Sequence, residues 1–155
     1  MTYLLIKWLH ILSSTVLFGT GLGSAYYMFF ASRSRDPRFV AKTVRLVVIA
    51  DWAFTTPTII LQPLTGFCLV HLAGFPLTSR WILWSLALYL LAGAAWLPVV
   101  WMQIRMRRLA ELAANTGDEL PPKYWSMLRA WVALGIVAFG ALVAVFYLMV
   151  AKPPL

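Results

Sequence analysis

Residues 124–151 read YWSMLRAWVALGIVAFGALVAVFYLMVA, and after Arg129 this stretch holds no charged residue. At 1.5 Å per residue a helix of that length runs ~40 Å, more than the ~30 Å hydrocarbon core of a bilayer. A soluble helix must turn a charged face to water, and this one has none to turn. It reads as a transmembrane helix, closed by Lys152-Pro153-Pro154.

The rest of the chain repeats the pattern. Residues 3–31 form an apolar run interrupted only by Lys7 and His10, too long for the apolar core of a cleaved leader, so it reads as a helix that stays. A second run covers 46–74 and contains Asp51, Pro57, Gln62 and Pro63, which predicts a kinked helix. The third covers 81–103, with Pro98 near its end. Residues 32–45 and the stretch after Arg105 read as polar connections, the first holding a helix start signal at Asp36-Pro37. The expected fold is all-α: a single-domain four-helix transmembrane bundle.

Composition agrees. The 155 residues are 62% hydrophobic and 12% charged, whereas soluble domains average about 45–50% and about 25%. The net charge of +8 is not a nucleic-acid signal, because the basic residues flank apolar runs. Ten of the 13 Lys and Arg residues fall in or beside the first and third connections; Lys7, Arg80 and Lys152 lie at the other end. By the positive-inside rule both basic connections are cytoplasmic and both termini lie on the non-cytoplasmic side. The basic segments are suited to anionic lipid headgroups. The one cysteine, Cys68, excludes an intrachain disulfide.

Ionisable groups within membrane segments are costly, so each calls for a reason. His10 shares a helix face with Lys7, Ser14, Leu17, Gly21 and Ser24. That face is either a packing seam, helped by Gly19, Gly21 and Gly23, or the site of a metal or haem ligand at His10, with Lys7 set to neutralise a propionate. His71 falls in the same half of the bilayer and is a candidate second ligand or an interfacial residue. Asp51 is expected to pair with Arg45 or Arg105; its functional alternative is a substrate or proton carboxylate. Asp51, Thr55, Thr58, Gln62 and Thr65 fall on one helical face. Gln62 and Gln103 are suited to hold helices together. Thr55, Thr58 or Gln62 could satisfy the carbonyls that Pro57 and Pro63 leave free. There is no zinc-ligand spacing, phosphate loop or nucleophile triad, and the six Met residues are scattered.

The motifs Lys7-Trp-Leu-His10, Phe18-Gly-Thr-Gly21, Ala50-Asp-Trp52, Leu61-Gln-Pro-Leu-Thr-Gly66, Trp96-Leu-Pro98, Gln103-Ile-Arg-Met106 and Val150-Ala-Lys-Pro153 resemble a bacterial family of predicted integral membrane proteins classed as a domain of unknown function. That resemblance implies the bacterial cytoplasmic membrane. Lys7-x-x-His10 and Thr56-Pro57 with its run to Gly66 are also similar to HemJ, the haem-containing membrane protoporphyrinogen oxidase. This second resemblance implies haem b with His10 as axial ligand. It does not extend to the His- and Tyr-containing patch of the third HemJ helix, where this chain has Trp96-Leu-Pro-Val-Val-Trp101, nor to the Asn-Glu pair of the last HemJ helix.

Three functions of different class follow. One is a small haem-binding redox protein built on His10. Another is a non-enzymatic accessory or assembly subunit of a larger membrane complex, or a homo-oligomer. The third is a small transporter using Asp51 and Gln62.

Overall fold

The computed structural model describes residues 1–153; Pro154, the last of the three residues expected to stop the fourth helix, lies outside them. The chain forms four helices long and apolar enough to cross a membrane: α1 (Thr2–Arg33), α2 (Pro37–Leu72), α3 (Arg80–Thr116) and α4 (Pro122–Ala151). Among the described residues there is no strand. The helices run up, down, up, down, so the α1–α2 and α3–α4 turns share one end of the bundle.

Two helices are longer than their apolar runs predict, for the same reason. Asp36 caps α2 by accepting the Arg38 amide at 2.9 Å, and Pro37 takes the first helical position, where its missing N–H costs nothing. Val40, Val44 and Val47 then recur at helical spacing and are buried, so most of the expected connection at 32–45 is helix. In α3 the buried stripe likewise runs on through Met106, Ala110 and Ala113, carrying Arg105, Arg107 and Arg108 on the helix rather than in a loop. Gly117 ends α3 at φ 77°, a left-handed conformation that favours glycine.

Inside α2 the backbone pairing lengthens from four residues to five. Asp51–Thr55 form a π-helical segment, and the Thr56 amide donates to the Asp51 carbonyl five residues back. The irregularity ends two residues before Pro57, which has no N–H to continue an α ladder to Ala53. The helix is therefore disturbed where the prolines predicted, by an extra residue in one turn.

Packing is uneven along the bundle. At the basic end Met28 of α1, Val40 and Val44 of α2, Met106 of α3 and Tyr124 of α4 join one buried cluster. There the Ser32 and Tyr124 hydroxyls hydrogen-bond at 2.7 Å, tying α1 to α4. Toward the other end the helices separate into two pairs: the Thr56–Leu72 half of α2 packs on α1, and α3 packs on α4. Away from Ser32–Tyr124, α1 and α4 meet through Phe18, whose ring lies 4.4 Å from Phe139 and 5.3 Å from Phe146. The glycines expected to bring a helix close do not: a Cβ on Gly19, Gly21 or Gly23 would meet nothing within 4 Å.

Candidate functional site

The separation of the pairs leaves a cavity of about 610 Å³ lined by all four helices. Its walls are almost wholly apolar, with Phe18, Tyr26, Phe29, Tyr89, Trp96 and Phe139 among them. Leu22 and Tyr26 of α1 and Ile136 of α4 line it and are also exposed, Ile136 at 68%. The cavity thus opens sideways between α1 and α4, in the window bounded by Phe18–Phe139 and Ser32–Tyr124. Fourteen residues of α1 separate those two contacts, ~21 Å of helix.

Asp51 lines this cavity and is 5% exposed. Its Oδ1 accepts the Thr55 hydroxyl at 2.9 Å. Its Oδ2 is buried with no hydrogen-bond partner. Gln103, 3% exposed, reaches the same place from α3 and turns its amide N–H toward the Asp51 carboxyl, its own Oε1 left unpartnered. Trp131, 6% exposed, comes from α4, and its Nε1 is the third buried polar atom without a partner. No Lys, Arg or His lines the cavity.

The expected ion pair of Asp51 with Arg45 or Arg105 does not form; among the described residues the one ion pair is Arg107–Glu111, at 2.7 Å. Helical phase explains this. Arg45 is six residues before Asp51 and Arg105 two residues after Gln103. Steps of six and two turn an α-helix by ~240° and ~200°, so both arginines leave the inward face. Both are exposed, and Arg105 stacks over Trp101 at 4.2 Å.

His10 stands elsewhere, in a polar seam between α1 and α2. Its Nδ1 lies 2.7 Å from Thr65 Oγ1. The Thr65 hydroxyl gives its one proton to the Leu61 carbonyl at 2.6 Å, so it must accept from His10. The imidazole therefore carries its proton on Nδ1, and Nε2 keeps a lone pair. Beside it, Gln62 Nε2 donates to the His10 carbonyl at 2.9 Å and to Ser13 Oγ. Gly66 faces the ring, where an added Cβ would lie in ordinary contact, 3.5 Å from His10 Cε1.

The five-residue polar face expected on α2 is thus two faces. Asp51 and Thr55 look into the cavity, while Gln62 and Thr65 look at α1. Eleven residues from 51 to 62 would return to nearly the same side of an ideal helix, but one added residue moves the phase by ~100°. The π segment adds that residue. Lys7 is exposed with Nζ 5.9 Å from the Tyr3 ring, and His71 is exposed near the end of α2. The cavity does not reach His10, since its α1 lining begins at Leu17. No group of three or more His, Cys, Asp or Glu forms a metal centre among the described residues.

Tyr89 and Trp131 escaped the sequence reading. Tyr89 sits in an apolar run, and its partner is a backbone carbonyl, which sequence spacing does not display. Trp131 looks like any membrane tryptophan until the fold turns it inward.

Four spanning helices enclosing an interior carboxylate and an apolar cavity define a polytopic integral membrane protein. The chain belongs to the family described as "Predicted integral membrane protein (DUF2269)", which it matches over residues 4–153. No curated protein and no solved structure matches it.

Proposed function

We propose that this protein binds a small molecule taken from the lipid phase, holding it in the central cavity for sequestration or transfer across the membrane. The observation that carries this reading is Asp51, a buried carboxyl group with one unpartnered oxygen, in the lining of a cavity whose walls are almost wholly apolar. A buried polar atom without a partner costs about 1–3 kcal/mol, and the cavity volume lies within the ~300–1,000 Å³ usual for small-molecule sites. By the positive-inside rule the basic end faces the cytoplasm, so both termini face outward, and Asp51 lies in the cytoplasmic half of a bacterial inner membrane. Of the transport residues expected from sequence, Asp51 remains in this role and Gln103 replaces Gln62.

Native mass spectrometry of the gently solubilised protein tests the reading. A small-molecule adduct is expected, and Gly93→Phe should remove it by filling the cavity. No adduct, or equal adduct on both proteins, overturns the proposal.

A second reading keeps His10 as a haem ligand. It is favoured by the fixed tautomer: Nδ1–H is held by Thr65, which leaves Nε2 as a donor to iron. Bound haem would supply one-electron chemistry; the chain would contribute Nε2, oriented by Thr65, with the exposed Lys7 a turn away. An absorption spectrum of purified protein, oxidised and dithionite-reduced, checks it. A Soret band lost in His10→Ala supports the ligand, whereas a flat spectrum after haem supply returns His10 to a packing role.

A further inference from the structure

The cavity specifies its ligand beyond shape. The protein has 13 Lys and Arg residues, yet its buried carboxyl group has no cation beside it, and no basic side chain lines the cavity. Asp51 Oδ2 and Gln103 Oε1 are unpartnered acceptors on two neighbouring side chains. A ligand head that satisfies them must donate hydrogen bonds, and one that also matches the carboxylate must be positive. The surrounding rings of Tyr26, Phe29, Trp96 and Trp131 offer π faces, which attract cations and tolerate apolar bodies. Entry from the side, past exposed Leu22 and Ile136, suits a molecule already dissolved in lipid.

We propose that the occupant is a lipophilic amine: an apolar body ending in a protonated primary or secondary ammonium that donates to Asp51 and Gln103. The ammonium brings the positive charge that the chain itself withholds from this place. Trp131 Nε1, the unpartnered donor of the set, takes an acceptor oxygen further along the same molecule. This inference rests on the reading of the cavity as a binding site.

The test uses the full chain in nanodiscs of zwitterionic lipid and two matched probes. 9-(Aminomethyl)anthracene is cationic; 9-(hydroxymethyl)anthracene is nearly the same shape and neutral. Energy transfer from the protein's tryptophans to anthracene reports binding, with empty nanodiscs as the blank. The amine should bind saturably and about tenfold or more tighter than the alcohol, since a buried charge pair loses more than that when one partner is removed. Asp51→Asn should abolish the preference. In wild-type protein a non-fluorescent aromatic amine should displace the probe at about a tenth or less of the concentration its alcohol needs, a comparison that needs no variant. Equal binding of both probes, or an amine preference that survives Asp51→Asn, overturns the amine and leaves the cavity reading standing. Saturable binding of neither probe overturns the amine; if the wild-type protein also carries no adduct by mass spectrometry, the cavity reading falls with it.

Discussion

The Tyr89 hydroxyl of α3 donates to the Ile59 carbonyl of α2 at 2.6 Å. In an unbroken α-helix that carbonyl would accept the amide of residue 63, and residue 63 is proline. A side chain from the neighbouring helix thus supplies the donor that Pro63 removes, and α2 gains a tie to α3 where the two otherwise diverge. The sequence reading assigned this compensation to threonine or glutamine on α2 itself, but Thr58 instead serves the Phe54 and Thr55 carbonyls.

Tyr89→Phe should therefore destabilise the fold by about 1 kcal/mol, the usual scale for an interhelical hydrogen bond in a membrane. Pro63→Ala restores an amide donor within α2. In the double variant, removing the Tyr89 hydroxyl should cost little. Thermal midpoints of the four proteins in one detergent give the cycle; additive costs would mean that the two residues do not share the carbonyl.

The double variant Asp51→Leu, Thr55→Val should leave stability unchanged or raise it by about 1 kcal/mol, because it removes a buried acceptor that has no partner together with the hydroxyl that Asp51 Oδ1 accepts. The same change should abolish amine binding. Protection against heat and loss of binding would appear together, as expected where a site is kept at some expense of stability. A loss of several kcal/mol would instead reveal a partner that Asp51 needs for folding.

Gly93 and Gly135 both line the cavity, and a Cβ on either would meet nothing within 4 Å. Gly93→Leu or Gly135→Leu should fit without strain and gain up to about 1 kcal/mol of helix propensity. Each should also weaken ligand binding by occupying its space. Melting temperature and probe affinity measured on the same preparation check both halves.

Gln62→Leu removes two hydrogen bonds from the α1–α2 seam, and should cost about 1–2 kcal/mol. Because Gln62 lies outside the cavity lining, probe affinity should not change. Gly66→Ala should be tolerated, since 3.5 Å to His10 is ordinary contact; Gly66→Leu should expel the imidazole from Thr65. Imidazole proton resonances of His10 would register the difference.

The four helices were legible because hydrophobic length is a property of consecutive residues. The buried stripes through Val40–Val47 and Met106–Ala113 were less visible, since basic residues on the opposite face mask them in a linear reading. The cavity site was half legible. Asp51 and Gln103 each stood out as polar groups at membrane depth, but their union across α2 and α3 depends on the π segment, which no spacing rule locates. The arginine partners assigned to Asp51 came from depth alone, and helical phase overrode them. His10 and Gln62 share one seam because residues on antiparallel neighbours meet at matching heights, a relation that topology supplies.

Because α1 and α4 touch at Phe18 and at Ser32 and stand apart between, the opening is a slot pinned at both ends, its long sides facing lipid like the covers of a book. The surrounding acyl chains press on the covers. Tightly ordered lipids should narrow the gap, whereas short or unsaturated chains should let it widen. On the proposed function, ligand entry would then be faster in a fluid bilayer than in a stiff one, with no change in the protein itself.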